Sequence, residues 1–135
     1  MAFFQCYIVP LKGEYHINDI GLEYLKRDDG YGYSVNRPIK KGTILMFVHT
    51  PSKFFVGETV ATKSRFPSRD KRWKYEVGYD PNAIFRYDPY IPYRTLSGIP
   101  THFKGVDVHA IVRNYPQLYL NEYQMMTKGI SKIKI

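Results

Sequence analysis

Cysteine is almost missing from this chain of 135 residues. The single one, Cys6, rules out an internal disulfide framework, and no histidine stands near it at metal-ligand spacing. It lies in the apolar run Phe3–Val9, where a thiol is expected to be buried in a strand rather than exposed and reactive. Long hydrophobic runs are missing too. No stretch approaches the roughly 20 apolar residues of a membrane-spanning helix. The first residues lack the basic, apolar and small-residue regions of a secretory leader. The expectation is a cytoplasmic protein that makes no use of a membrane.

Phosphate-cradling and catalytic signatures are also wanting. There is no Walker loop and no dinucleotide fingerprint, and Gly30-Tyr31-Gly32 lacks the strand–glycine–helix setting that would give it that meaning. No Gly-x-Ser-x-Gly elbow and no zinc or calcium pattern occurs among His16, His49, His102, His109 and the carboxylates. Glu58, Glu76 and Asp80 share no spacing that would single them out as a metal set. His102 and His109 offer an acid–base pair for RNA chemistry, although two histidines placed around a strand start are more often structural. No cofactor, no metal and no catalytic residue is expected.

Acidic residues are scarce: 12 against 20 Lys and Arg, for a formal charge of +8. Most of that excess sits in KSRFPSRDKRWK, where Lys63, Arg65, Arg69, Lys71, Arg72 and Lys74 face only Asp70 and alternate with Phe66 and Trp73. Cations that track phosphates, interleaved with rings on which bases stack, are what a nucleic-acid surface needs. Aromatics are abundant, with 13 tyrosines, eight phenylalanines and one tryptophan. Such amphipathic rings suit a small barrel with wet openings or a stacking surface.

The apolar pattern predicts a buried strand over residues 3–9, ended by Pro10. Ile17, Ile20, Tyr24 and Leu25 recur at helical spacing, with His16 or Asn18 as caps, and Gly21 keeps this helix short. DDGYGYSVNRP, residues 28–38, then reads as a glycine-rich loop. TILMFV and FFVGETVAT, joined by TPSK, predict a hairpin, and Gly57 marks a bulge or a close backbone approach. WKYEV, AIFRY and GVDVHAIV (105–112) read as further strands. The segment 87–100, with Pro89, Pro92 and Pro100, reads as an extended rigid loop, and LYLNEYQMMTKGI as a closing helix. The whole is one domain, 1–135, of α+β class: about six strands in a small mixed β-barrel flanked by two short helices.

The order of these parts resembles the PUA-like superfamily, in its EVE, YTH and ASCH branches. Phe55, Gly57 and Glu58 in FFVGE fall near the aromatic, glycine and acidic positions of the YTH return strand. Tyr33-Ser34-Val35-Asn36-Arg37 is similar to the polar segment after the first helix of EVE domains, and RWKYEV to the family's tryptophan-bearing strand. The resemblance implies a barrel of five or six strands with a pocket that takes a flipped or unpaired base, in some members a methylated one. It puts Tyr31 or Tyr33 in place of a cage tryptophan, Trp73 as a second wall, Asn36 on a base edge and Arg37 on a phosphate. Lys63, Arg65, Arg69, Lys71 and Arg72 complete the expected phosphate set. The expected activity is non-catalytic binding of RNA or DNA, modified or not. Two alternatives stand beside it: an ASCH-like RNase or nucleoside-modifying hydrolase, and a protein-interaction subunit using segment 87–100.

Overall fold

A computed structural model describes residues 4–11, 22–99 and 105–135. The first strand, β1 (Cys6–Pro10), is buried along almost its whole length and lies parallel to β3 (Ile44–His49), with β7 (Gln117–Leu118) antiparallel on its other side. Its alternation divides two cores. Tyr7 and Val9 enter one cluster, Cys6 and Ile8 the other, so both faces of the sheet are covered. Cys6 is fully buried, as its apolar setting predicted.

The expected hairpin is present. β3 runs antiparallel to β4 (Phe54–Pro67), and the register shifts beside Gly57. A Cβ on Gly57 would stand 2.3 Å from the carbonyl oxygen of Phe85, so the bulge and the close backbone approach occur together. β4 is the spine of the fold. Its first half lies between β3 and β6 (Phe85–Pro92), and its second half pairs with β5 (Tyr75–Tyr79).

Several expectations are corrected. The helix α1 spans Leu22–Leu25 and buries Leu22 and Leu25, while Tyr24 faces solvent beneath the Arg27 guanidinium. Ile17, Ile20 and the caps His16 and Asn18 lie outside the described residues. The glycine-rich loop is a strand, β2 (Gly30–Tyr33), antiparallel to β5 in the register Gly30↔Gly78 to Tyr33↔Tyr75. The segment 87–100 is not a loop either: β6 continues to Pro92 and α2 (Tyr93–Gly98) follows. Both prolines are tolerated there because of where they fall. Pro89 sits where the β4 ladder shifts register and beyond the end of the β8 (Ser131–Lys134) ladder, and Pro92 caps α2, where no N–H is needed. Segment 105–112 is not a strand. Asp107 caps α3 (Val108–Ile111) by accepting from the His109 N–H, and a single 3-10 turn (Val112–Asn114) follows; Val108 and Val112 are buried at helical spacing. The closing helix α4 (Leu120–Thr127) is as expected, opened by Glu122 accepting from the Tyr119 N–H. After it, β8 adds to the edge of β6, a strand that the polar Ser131-Lys132-Ile133-Lys134 did not announce.

Among the described residues the result is an α+β fold with four short helices and one mixed sheet of eight strands. The hydrogen-bonded path runs β2-β5-β4-β3-β1-β7, with β6 and β8 branching from β4. Among the described residues no ladder joins its ends, so the sheet is open rather than closed into a barrel. No helix among them is long and apolar enough to cross a membrane.

Candidate nucleic-acid interface

The sequence GYGY explains the local architecture. In a strand, alternate side chains point to opposite faces. Tyr31 and Tyr33 therefore point into the core, while Gly30 and Gly32 present bare backbone to the outside. Register partners share a face, so two rows run across the outer side of the ribbon formed by β2, β5 and the end of β4. One is Gly32–Glu76–Phe66 and the next is Gly30–Gly78–Lys63.

Side chains of the 68–76 segment lie on this bare surface. A Cβ on Gly32 would be 2.3 Å from Cδ1 of Trp73, so the indole rests on the glycine backbone. Glu76 is only 5% exposed despite facing outward. Its carboxylate accepts from the Arg69 backbone N–H at 3.1 Å, from Arg69 Nε at 2.9 Å and from Ser68 Oγ at 3.4 Å. Arg69 Nη2 also donates to Asp29 Oδ1 at 2.8 Å, a bridge across 40 positions of sequence. This bond holds the Asp29 carboxyl below the usual carboxylate range, and the two carboxylates push the guanidinium pKa further up. The first row thus carries an indole at one end, a cation-capped carboxylate in the middle and a phenyl ring at the other.

The second row carries almost no side chains, and a cleft of about 260 Å³ opens over it. Gly78 and Tyr79 contribute to its lining, with Thr62, Lys63 and Phe66 on the β4 side and Asp29 with Arg69 opposite. Lys63 Nζ lies 5.3 Å from the Phe66 centroid, within cation–π range. The turn leading into β5 is tied down by Trp73 N–H donating to Asp70 O at 3.1 Å and by Lys74 N–H donating to Ser34 Oγ at 3.3 Å.

The structure sorts the candidate residues into different places. Tyr31 and Tyr33 are 3% and 0% exposed and belong to the core. The Tyr31 hydroxyl donates to Pro10 O and meets the Tyr115 hydroxyl at 3.1 Å, and the Tyr33 hydroxyl donates to Arg37 O at 2.8 Å. Tyr33 also stacks on Tyr115 at 5.6 Å. These rings lie beneath the outer surface and form no wall of the described cleft. Arg37 is drawn the same way, its Nε donating to the carbonyls of Asn114 and Tyr115 at the end of the 3-10 turn. Asn36 is exposed, with Oδ1 accepting from Arg65 Nη1 at 2.8 Å, and Arg65 lies 4.3 Å above the Tyr75 ring. Arg72 is held by both oxygens of Asp70, an ion pair that keeps Asp70 ionised further into acid. Lys63, Arg65, Lys71 and Lys74 have no carboxylate partner among the described residues.

The tyrosine surplus is spent largely inside. Tyr7, Tyr31, Tyr33, Tyr79, Tyr87, Tyr93, Tyr115 and Tyr123 are all buried, so on this face the aromatic rings are Trp73 and Phe66 instead. Sequence reasoning missed Asp29, Gly30, Gly32 and Gly78, and weighed Glu76 as a metal carboxylate rather than as the partner of Arg69. The signal for Gly30 and Gly32 was the strict alternation of GYGY.

The carboxylates weighed for catalysis have separate surroundings. Glu58 accepts from the Tyr87 and Tyr123 hydroxyls at 2.9 and 2.7 Å and pairs with Lys132, whereas Glu76 belongs to Arg69. His109 is exposed on α3, and its suggested partner His102 lies outside the described residues. Among the described residues no three His, Cys, Asp or Glu side chains gather as a metal site. Comparison with known proteins finds no family model that matches the chain and no significant match among curated proteins.

Proposed function

We propose that this chain is a cytoplasmic, non-catalytic domain that binds nucleic acid on the outer face of the β2–β5–β4 ribbon. One observation carries the reading: Trp73, Phe66, Lys63 and Arg69 are collected on one glycine-floored face, beside a cleft, and the other cations of 63–74 belong to the same segment. The face is built for single strands. Each base stacked on an aromatic ring contributes about 1–3 kcal/mol without regard to sequence, and Trp73 and Phe66 stand at opposite ends of one row. Lys63, Arg65, Lys71 and Lys74 take the phosphates, because Arg69 and Arg72 are already neutralised by carboxylates. A PUA-like fold, which the order of parts resembles, is the finer reading of the branched sheet around β4, here as an open rather than a closed barrel, and a modified base is among the targets that resemblance implies.

Trp73 is the sole tryptophan, so its emission reports on this face alone. Titration with RNA and DNA 12-mers, methylated and unmethylated, is expected to quench it. The charge-reversed variant Lys63→Glu/Lys71→Glu/Lys74→Glu is expected to lose binding while keeping the wild-type circular dichroism spectrum. Undiminished affinity in that variant would place the interface elsewhere.

A further inference from the structure

We infer that the cleft over Gly78 is a slot for one guanine base, read by Asp29. This rests on the nucleic-acid reading above and adds a specificity to it. The size comes first. At about 260 Å³ the cleft falls just short of the roughly 300 Å³ at which pockets for drug-sized ligands begin, which suits a single planar base. Its shape follows from the sequence: Gly78 brings no side chain to the outer face and leaves backbone as the floor, while its register partner Gly30 makes room for the Glu76 and Arg69 side chains at the edge. A Cβ on Gly78 would lie 2.9 Å from Cβ of Lys63. The floor has to stay bare. Phe66 supplies an aromatic wall, and Lys63 lies over that ring.

The polar groups decide which base. Asp29 lines the cleft with its carboxylate about two-thirds exposed, and Arg69 holds Oδ1 from the protein side. A carboxylate has about four acceptor sites, and Arg69 Nη2 uses one of them. Its pKa lies below the ordinary range, so it remains a pure acceptor at neutral pH. Among the common bases, guanine alone presents two adjacent donors on its pairing edge, N1–H and the exocyclic amino group, matching the two oxygens of a carboxylate. Its O6 and N7 acceptors suit a cation, and Lys63 is in the cleft to provide one. Uracil and thymine offer one N–H between two carbonyls and would set a carbonyl against Asp29. Adenine and cytosine offer an amino group without the adjacent N–H.

The test uses the full chain with uridine and thymidine 8-mers carrying one central guanine, inosine, adenine or cytosine. Wild type is expected to bind the guanine oligomers about tenfold more tightly than the adenine, cytosine or unsubstituted ones, the scale of one bidentate base contact. Inosine, which keeps N1–H and lacks the amino group, is expected to fall between. Asp29→Asn is expected to remove the guanine preference, because guanine loses its paired acceptor while the other bases no longer face a carboxylate, and to keep the wild-type circular dichroism spectrum, because Asp29 is exposed. Phe66→Ala weakens every oligomer with a base in the slot. Equal affinity for all four bases, or a guanine preference that survives Asp29→Asn, overturns the inference while the interface stands. Absence of binding to every oligomer overturns both.

Discussion

Salt is the perturbation that tests how the cations are divided. Of the six between Lys63 and Lys74, Arg69 is shared by Glu76 and Asp29, and Arg72 is held by Asp70. The remaining four are Lys63, Arg65, Lys71 and Lys74, and on an oligomer without guanine, where Lys63 is not engaged by a base, all four face phosphate. Each phosphate neutralised on a single strand contributes about 0.7 to the slope of log affinity against log salt. Four contacts therefore give a slope of about −2.8, and raising salt from about 50 to about 200 mM weakens binding about fifty-fold. Were all six cations on phosphates, the slope would be about −4.2 and the loss about 340-fold. These outcomes are well separated in a titration followed by Trp73 fluorescence. Lys71→Ala is expected to make the slope shallower by about 0.7, whereas Arg72→Ala leaves it nearly unchanged. A slope near zero would refute the electrostatic reasoning altogether. A slope of about −4 would show that Arg69 and Arg72 exchange their carboxylates for phosphate, against the cost of leaving Glu76 buried without its cation.

Two further perturbations address the floor and the core beneath it. Gly32→Ala puts a methyl where the Trp73 ring lies, so the indole is expected to swing into water with a red-shifted emission and weaker binding, while stability changes by less than about 1 kcal/mol, since alanine suits a strand no worse than glycine; unchanged emission would contradict the contact. In the core, burial pushes the Tyr33 and Tyr115 hydroxyls up to about 12, above the value near 10 that each takes in the unfolded chain. Their contribution to stability is complete below about pH 10 and is lost as pH rises toward about 12, at about 1.4 kcal/mol per pH unit for each group. Urea melts between pH 9 and pH 12 check this, and a midpoint that stays level across that window would show that neither ring is shielded from water.

The parts of the fold that were legible in the sequence are those fixed by local pattern. TILMFV and FFVGETVAT are dense β-branched and aromatic runs around a proline turn, and they pair as read. LYLNEYQMM carries Tyr123 and Met126 at helical spacing and buries both. The misreadings share one cause: a local cue that tertiary contacts overrode. Gly30 and Gly32 looked like loop residues, yet pairing with β5 makes them strand. The Val106–Val112 alternation suggested a strand, yet Asp107 caps a helix there. Prolines at 89 and 92 argued against secondary structure, yet both occupy positions where no ladder or helix bond is lost.

The sequence alone determined that the protein is basic, that the excess is concentrated between Lys63 and Lys74, and that Phe66 and Trp73 lie within it. Composition and adjacency suffice for that, because charge and aromaticity travel with the residue. Which cations are neutralised was decided only by the tertiary structure, since Asp29 reaches Arg69 from 40 positions away. So was the fate of DDGYGYSVNRP. One strand register turned Tyr31 and Tyr33 into the core and left Gly30 and Gly32 outside as the floor on which Trp73 rests. A strand has two faces of opposite environment, and only its partner strand says which residues belong to which.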